Sequence, residues 1–439
     1  MKLTVIGTGY LGAVHAACMA DIGHDVLGVD VNADKIAALA DGRPPFFEPG
    51  LGEVLARTVG AGKLRFSTSL EEAAEFGDVH FICVGTPQRP GSYAADLKYV
   101  DAAVEGLAPH LRRACLVVGK STVPVGTAAG MAALVAELAP VGNQAEVAWN
   151  PEFLREGFAV ADTLRPDRLV AGVTSDRADA LLRQVYAPML AAGTPYISAD
   201  LATAELVKVA ANAFLATKIS FINAMSEMCE ASGGDVVTLA EAIGYDSRIG
   251  SRFLSAGLGF GGGCLPKDIR GFIARAGELG ASEALTFLRE VDEINMRRRM
   301  HTVDLARELV GGSFLGRNVA VLGAAFKPNS DDVRDSPALN VAAAIQLQGA
   351  QVRVHDPEAM ENARAVFPTL DYAPDATKAC EGADLVLHLT EWAEYRELDV
   401  CALASVVRVP RILDARNALD IDHWRAAGWT VRALGRSAR

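Results

Sequence analysis

The sequence predicts an α/β protein: two doubly wound parallel-sheet domains joined by a long central helix. Three observations carry that prediction. Strand and helix patterns alternate over the first 200 residues, the same alternation resumes near residue 314, and between them residues 202–232 form a helical run with few breakers. A chain of 439 residues has room for two or three domains with sizeable cores. The pattern divides it into an N-terminal domain (1–200), a central helical domain (201–312) and a C-terminal domain (313–439).

The first element is the apolar strand Lys2–Ile6. It runs into Gly7-Thr8-Gly9-Tyr10-Leu11-Gly12, then a helix through Ala13 to Ile22, then a second strand that ends on Asp30. This is a dinucleotide fingerprint in its required setting of strand, glycine turn, helix and acid, and it defines a Rossmann-type domain with Gly7, Gly9, Leu11 and Gly12 at the cofactor. Asp30 can accept ribose hydroxyls but would repel a 2′-phosphate, so NAD is the expected cofactor, with Lys35 helping at its adenosine end.

Further strands are expected at Leu64–Phe66, Val79–Val84, Cys115–Val118 and Glu146–Trp149, each followed by a loop and a helical pattern. In a doubly wound sheet the ligand lies beyond the carboxyl ends of the strands. Three loops there carry reactive or polar residues: Gly85-Thr86-Pro87, Lys120 to Thr127, and Asn150-Pro151-Glu152-Phe153-Leu154-Arg155-Glu156-Gly157. Each alone is ordinary loop chemistry, with threonines capping helices and prolines stiffening turns. Their shared rim is what points to function.

The run from Ala202 to Ser232 is apolar on all sides, too much so for a helix lying on a surface. It is expected to link domains and to pack against a second chain, giving a homodimer. Lys208 and Asn212 stand four residues apart on one face of it. After it comes Gly257-Leu258-Gly259-Phe260-Gly261-Gly262-Gly263-Cys264-Leu265-Pro266-Lys267-Asp268, in which five of the first seven residues are glycine. Such a backbone can reach positive φ and lie close to a ligand. It delivers Cys264 to the start of a helix opened by Pro266, where the helix dipole and Lys267 favour a thiolate and Asp268 supplies a carboxylate nearby.

A further helix is expected from about Glu283 to Val310. Asn318–Phe326 then repeats the logic of the chain's opening, and Gln351–Pro357 mirrors the strand that ends on Asp30, so a second Rossmann-type unit follows whose glycine fingerprint is lost. Its place is taken by Lys327 to Pro337, where Lys327 and Arg334 are set to meet anionic groups. Asp384–Thr390 and Arg411–Asn417 supply two more strands.

A net charge of −12 argues against nucleic acid, because no positive field exists to displace counterions from a phosphate backbone. Phosphates must be held locally, by glycine loops, helix N-termini and a few placed cations. The N-terminus lacks a signal-peptide design and no apolar run reaches transmembrane length, so the expectation is a cytoplasmic protein without a membrane partner. The seven scattered cysteines form no CxxC and support neither a disulfide framework nor a metal site.

A dinucleotide fingerprint, a lysine and a reactive cysteine together specify a chemistry. Oxidising an alcohol needs a hydride acceptor and a base; a cysteine becomes useful only when the aldehyde is oxidised again. Thiolate attack gives a thiohemiacetal, loss of its hydride gives a thioester, and hydrolysis gives a carboxylate. A lysine at the reacting oxygen stabilises the alkoxide and the later oxyanions.

Seven blocks in order carry a resemblance: Gly7-x-Gly9-x-x-Gly12, Gly85-Thr86-Pro87, Ser121-Thr122-Val123-Pro124-x-Gly126-Thr127, Asn150 to Gly157, Glu205-x-x-Lys208-x-x-x-Asn212, Gly259 to Asp268, and Phe326-Lys327-x-x-x-x-Asp332-x-Arg334-x-Ser336-Pro337. Together they resemble the nucleotide-sugar 6-dehydrogenases, the UDP-glucose/GDP-mannose dehydrogenase family, over nearly the whole chain. The resemblance implies that UDP-glucose, two NAD and water become UDP-glucuronate and two NADH, a step of nucleotide-sugar metabolism that supplies polysaccharide biosynthesis. It implies Cys264 as nucleophile, Lys208 with Asn212 at the reacting oxygen, Asp268 with Thr122 on the water of proton transfer, and Glu152 assisting the aldehyde and thioester steps. Thr86, Thr122, Glu156, Lys267 and Arg334 resemble cofactor contacts. Glu152, Phe153, Leu154, Lys208, Asn212, Phe253, Leu254, Ser255, Gly257, Gly261 and Lys327 resemble substrate contacts. The stretch Gln88–Leu97 departs from the family's Asp-Gly-x-Ala-Asp-Leu by lacking its first aspartate. Three alternatives stay open: the same chemistry on GDP-mannose or a UDP-N-acetylhexosamine such as UDP-N-acetylmannosamine, a two-electron dehydrogenase of the 6-phosphogluconate or hydroxy-acid type that makes one NADH and is indifferent to Cys264, and a catalytically dead nucleotide sensor that keeps the glycine fingerprint but forms no NADH.

Overall fold

The computed structural model describes residues 1–436, which form two compact units: Met1–Ala211 with Arg270–Leu279, and Asn212–Ile269 with the chain from Gly280 onward. The first is built on eight strands: β1 (Lys2–Ile6), β2 (Asp25–Val29), β3 (Leu64–Ser67), β4 (Val79–Ile82), β5 (Cys115–Gly119), β6 (Ala145–Trp149), β7 (Leu169–Gly172) and β8 (Tyr196–Ala199). Their spatial order is β3-β2-β1-β4-β5-β6-β7-β8. The order reverses at β1, so the turn leaving it opens where a doubly wound sheet holds its ligand. Every residue of β4 and β5 is buried, as expected for parallel strands covered on both faces.

The sheet departs from an all-parallel arrangement at one place. β7 lies antiparallel to β6, with Trp149 opposite Gly172. An antiparallel neighbour can be reached by a returning loop, whereas a parallel one needs a crossover, and the chain between the two strands holds only the short helix Ala159–Leu164. The helices that matter to the candidate site in this unit are α1 (Tyr10–Asp21) and α2 (Thr127–Leu138).

The long helix α3 (Leu201–Ser232) has 32 residues; those up to Ala211 belong to the first unit and the rest to the second. In the second unit its inner face carries Asn212, Ala216, Ser220, Asn223 and Ser226, all buried. Its outer face exposes Phe214 (68%), Phe221 (48%) and Met228 (59%), seven residues apart.

The second unit adds α4 (Leu265–Glu278), whose residues from Arg270 onward group with the first unit, and α5 (Thr286–Leu309). Six strands follow: β9 (Asn318–Leu322), β10 (Gln351–His355), β11 (Asp371–Tyr372), β12 (Leu385–His388), β13 (Arg411–Asp414) and β14 (Thr430–Ala433), with helix α6 (Pro337–Leu347) after β9. They lie parallel in the order β11-β10-β9-β12-β13-β14, so the same reversal recurs at β9. One hydrophobic cluster running from Leu258 to Leu434 fills both faces of this sheet. Among the described residues no helix is long and apolar enough to cross a membrane.

Candidate active site

At the β1–α1 turn each glycine has a separate reason. Gly7 stands at φ 89°, and a Cβ on Gly12 would lie 1.8 Å from the Gly7 carbonyl oxygen. A Cβ on Gly9 would meet nothing within 4 Å. Gly9 therefore leaves open space beside the N-terminus of α1, which has no side-chain cap and no acid in its first turn. An uncompensated helix N-terminus facing an open glycine fits a pyrophosphate. Asp30 Oδ2 accepts from the Thr8 amide at 2.9 Å, the Thr8 hydroxyl at 3.1 Å and the Lys35 ammonium at 2.9 Å. Burial raises the pKa of Asp30, but Lys35 and the backbone amides outweigh it and keep the carboxyl below its usual range. The charge of Lys35 is thus engaged by Asp30. These residues fit NAD: the turn and helix for its phosphates, Asp30 for a ribose.

The degenerate turn after β9 shows the contrast. Asp356, the counterpart of Asp30, is buried and accepts five donors: the amides of Ala324 (2.7 Å), Ala325 (2.9 Å), Glu358 (3.0 Å) and Ala359 (2.9 Å), and the Trp392 indole (3.1 Å). The carboxylate that would receive a ribose has become part of the fold.

The rim loops of the first unit are tied to one another. The Thr86 hydroxyl donates to the Thr122 carbonyl at 2.8 Å, and the Ser121 hydroxyl to the Val84 carbonyl at 2.6 Å. Glu205 accepts from the amides of Gly126 and Ala128, both at 2.7 Å, and so caps α2 from one turn before Lys208 on α3. Glu152 Oε1 accepts from its neighbours Phe153 (2.8 Å) and Leu154 (3.1 Å), and Oε2 lies 3.1 Å from the Lys120 ammonium. The Phe153 ring has the Arg168 guanidinium 3.9 Å from its centroid and the Lys208 ammonium at 5.5 Å. Glu156 is buried on the same loop. Beside it Glu48 accepts from the amides of Gly157 (2.6 Å) and Ala159 (2.7 Å) and from the Tyr10 hydroxyl, joining the fingerprint to this loop. The Gln88–Leu97 stretch closes as a small hairpin, with Gln88 bridged to Ala95 and the Arg89 amide donating to Ala94 at 2.8 Å.

In the second unit Cys264 is exposed, and its carbonyl accepts the first hydrogen bond of α4, from the Asp268 amide at 2.9 Å. The thiol therefore stands at the helix N-terminus. Asp268 is buried and accepts from Asn212 Nδ2 at 2.7 Å through one oxygen and pairs with the Lys267 ammonium at 2.9 Å through the other. The Arg334 guanidinium packs where a Gly263 Cβ would sit, 2.3 Å from that position, and pairs with Asp332 at 2.7 Å. Lys327 lies 5.3 Å over the Phe326 ring, which in turn packs on Gly262. Three cations and a helix N-terminus are thus grouped around the cysteine loop.

The glycines of that loop include two at positive φ, Gly259 at 101° and Gly262 at 84°, and several of them also make room for neighbouring protein. Side chains at Gly257, Gly259, Gly261 and Gly262 would strike the Ala415 carbonyl, Asn295, the Asp335 carbonyl and Phe326, at 2.3 to 2.8 Å. They permit protein to pack closely on protein. The loop's backbone is pinned by side chains that sequence reasoning missed. Asn295 accepts from the Phe260 amide at 2.7 Å and returns a bond to its carbonyl at 3.0 Å; Arg298 donates to the Gly257 carbonyl at 3.2 Å; Arg299 bridges the Phe260 carbonyl (3.2 Å) and Asp335 (2.7 Å). Of the expected substrate contacts, Leu254, Gly257 and Gly261 are buried, and Ser255 and Phe253 are exposed, Phe253 at a φ of 66°. Lys208, Thr122 and Glu152 belong to the first unit, and Asn212, Cys264 and Asp268 to the second.

Three family models match the chain in sequence. They are the UDP-glucose/GDP-mannose dehydrogenase family's NAD binding domain at residues 1–190, central domain at 202–297 and UDP binding domain at 320–421. A UDP-glucose 6-dehydrogenase of Rhizobium meliloti (strain 1021) is 44% identical over 438 residues, covering 99% of this chain and all of the relative. A UDP-glucose dehydrogenase structure from the hyperthermophilic archaeon Pyrobaculum islandicum superposes with a TM-score of 0.91 at 41% identity, covering 99% of this chain and 98% of that one. A UDP-D-ManNAc dehydrogenase structure from Pyrococcus horikoshii gives 0.87 at 27% identity over the whole of both chains. With its fingerprint, its cysteine loop and these full-length matches, the chain belongs to the UDP-glucose/GDP-mannose dehydrogenase family, as an NAD-dependent oxidoreductase.

Proposed function

We propose that this chain oxidises UDP-glucose to UDP-glucuronate, reducing two NAD and consuming one water, with Cys264 as the covalent catalyst. The observation that carries the reading is the exposed Cys264 at the N-terminus of α4, beside the Asn212–Asp268–Lys267 cluster. UDP-glucose is preferred because the relative at 44% identity acts, by its name, on that sugar, whereas the UDP-D-ManNAc enzyme stands at 27%. The three-part division into 1–200, 201–312 and 313–439 is supported by the three matching family models.

NAD, when bound, supplies the acceptor for each of the two hydrides. In the first oxidation Lys208 and Asn212 steady the oxygen of the primary alcohol, and a water held by Asp268 and Thr122 takes its proton. The Cys264 sulfur then bonds to the aldehyde carbon, giving a thiohemiacetal; loss of its hydride leaves a thioester. In hydrolysis the water oxygen bonds to the acyl carbon, the carbon–sulfur bond breaks with its electron pair on sulfur, and Glu152 takes a water proton. Lys327 and the Phe253–Gly261 loop serve the sugar nucleotide; Thr86, Glu156, Lys267 and Arg334 serve the cofactor. The exposed stripe on α3 supports a homodimer, and a cytoplasmic location completes the reading.

The test is stoichiometry. UDP-glucose should yield two NADH per molecule, and Cys264→Ala should abolish steady-state turnover. Turnover of GDP-mannose or UDP-N-acetylmannosamine with none of UDP-glucose overturns the substrate. One NADH per substrate, indifferent to Cys264, overturns the mechanism.

A further inference from the structure

Lys120 closes the carboxyl end of β5, and its side chain is only 3% exposed. The ammonium donates to Asn150 Oδ1 at 2.9 Å and lies 3.1 Å from Glu152 Oε2 and 3.4 Å from the Tyr186 hydroxyl. The orientation of the Asn150 amide is fixed independently, because its Nδ2 donates to the Val170 carbonyl at 2.7 Å, which turns Oδ1 towards Lys120 and Tyr186. A buried lysine is costly, and an apolar side chain of similar length would pack as well or better. The charge is spent on one partner. Glu152 has its Oε1 held by two backbone amides and its Oε2 held by Lys120, so the carboxylate has a single placement.

We propose that Lys120 is a positioning residue for the reaction, acting through Glu152: the buried ammonium fixes where that carboxylate sits and keeps it a proton acceptor. The proposal rests on the reading of Glu152 as the base of thioester hydrolysis. Burial alone would raise the Glu152 pKa, but the charge and hydrogen bond of Lys120, the Phe153 amide and Lys208 together bring it below its usual range. Tyr186, Cys18, Cys83 and His15, which lie around the pair, are neutral near pH 7, and the Arg168 guanidinium stands against the Phe153 ring, 3.9 Å from its centroid. Burial pushes Tyr186, Cys18 and Cys83 up to about 12 and drives His15 far down. Lys120 and, more weakly, Lys208 are the cations that lower the Glu152 pKa.

The test uses the full-length enzyme as Lys120→Met, Lys120→Gln, Glu152→Gln and the double variant Lys120→Met/Glu152→Gln. The acid limb of the kcat profile should move up by about 1 pH unit or more in Lys120→Met and in Lys120→Gln, which keeps a hydrogen-bond donor but no charge. The infrared C=O stretch of a protonated carboxyl should appear in Lys120→Met at a pH where the wild type shows none, and vanish in the double variant. That double variant, whose buried pair is uncharged, should fold even where Lys120→Met does not, and should be no slower than Glu152→Gln alone. Wild-type pH profiles in both lysine variants with no new infrared band, or additive losses in the double variant, overturn the proposal. An absence of NADH formation from any sugar nucleotide by the wild type refutes the functional reading instead, and the infrared band still decides whether Lys120 controls Glu152.

Discussion

Asn212 Nδ2 donates to Asp268 Oδ2 at 2.7 Å, and both side chains are buried. The bond joins α3 to the first turn of α4, four residues after the cysteine. Because Lys267 holds the other carboxylate oxygen, Asp268 is fixed from both sides as an acceptor. Asp268→Asn presents an amide to an amide and strands the Lys267 charge. Turnover should fall on the order of 100-fold or more. The affinity for NAD, read by fluorescence titration, should fall far less than turnover, because the fingerprint proposed to hold the cofactor belongs to the other unit and Lys267 supplies only one further contact; equal losses in both would assign Asp268 to folding alone.

Two glycines in the two loops should respond to alanine in opposite ways. Gly9 has φ −67° and open space where a Cβ would go, so Gly9→Ala should leave the unfolding midpoint nearly unchanged while weakening NAD binding. Gly259 has φ 101°, and its Cβ would lie 2.6 Å from Asn295 Oδ1. Gly259→Ala should cost about 2 kcal/mol or more of stability, read by urea unfolding. A Gly259→Ala protein as stable as the wild type would contradict the packing role of the glycines in the cysteine loop.

Most strands of the two sheets and the fingerprint were legible because each is a local pattern: an apolar run, a glycine turn, an acid at a fixed distance. β7, β8, β11 and β14 were not, being short runs of two to four residues without a motif beside them. The clamps on the cysteine loop were hidden for a different reason. Arg297-Arg298-Arg299 in a polar helix reads as a solvated face, yet Arg298 and Arg299 are buried. A signal was present, since Val291, Asn295, Arg298, Thr302 and Ala306 recur at helical spacing and form one buried face. Lys120, Glu48 and Glu205 share a second difficulty: each is a charged residue whose partners are backbone amides or side chains far away in sequence, which no spacing rule reports. The placement of Cys264 at the start of a helix was readable because a helix N-terminus is itself a local feature.

Asp414, at the end of β13, predicts how the second unit responds to acid. It is fully buried, and it accepts from His388 at 2.9 Å and from the amides of Arg416 (3.0 Å), Ala418 (2.9 Å) and Leu419 (2.9 Å). Burial raises its pKa, but the His388 hydrogen bond and charge and the amides more than offset this, so the carboxyl titrates below its usual range. A depressed folded pKa contributes stability that is present above the unfolded value, about 3.9, and is lost as pH falls through the folded value. Asp414→Asn should therefore cost about 2–3 kcal/mol at pH 7, with the difference from wild type shrinking below about pH 4. Urea titrations followed by tryptophan fluorescence at the two pH values check the sign: a difference that grows in acid would contradict it.

The outer face of α3 predicts how two copies meet. Single exposed apolar side chains are common on protein surfaces and need no partner. Phe214, Phe221 and Met228 differ in being aligned: a seven-residue interval is close to two helical turns, so they form one stripe. Thr217 and Ala224, at the intervening positions, are small, so large and small side chains alternate along it. Such a stripe is complementary to itself under a two-fold axis, where each large side chain of one copy faces a small one of the other. Phe214→Asp/Met228→Asp places two charges on a surface that is already solvated in a single chain, so each chain should fold normally. Light scattering on an eluting column peak should then report one chain where the wild type reports two. A wild type that elutes as a single chain removes the homodimer, and a double variant that still pairs moves the interface away from α3.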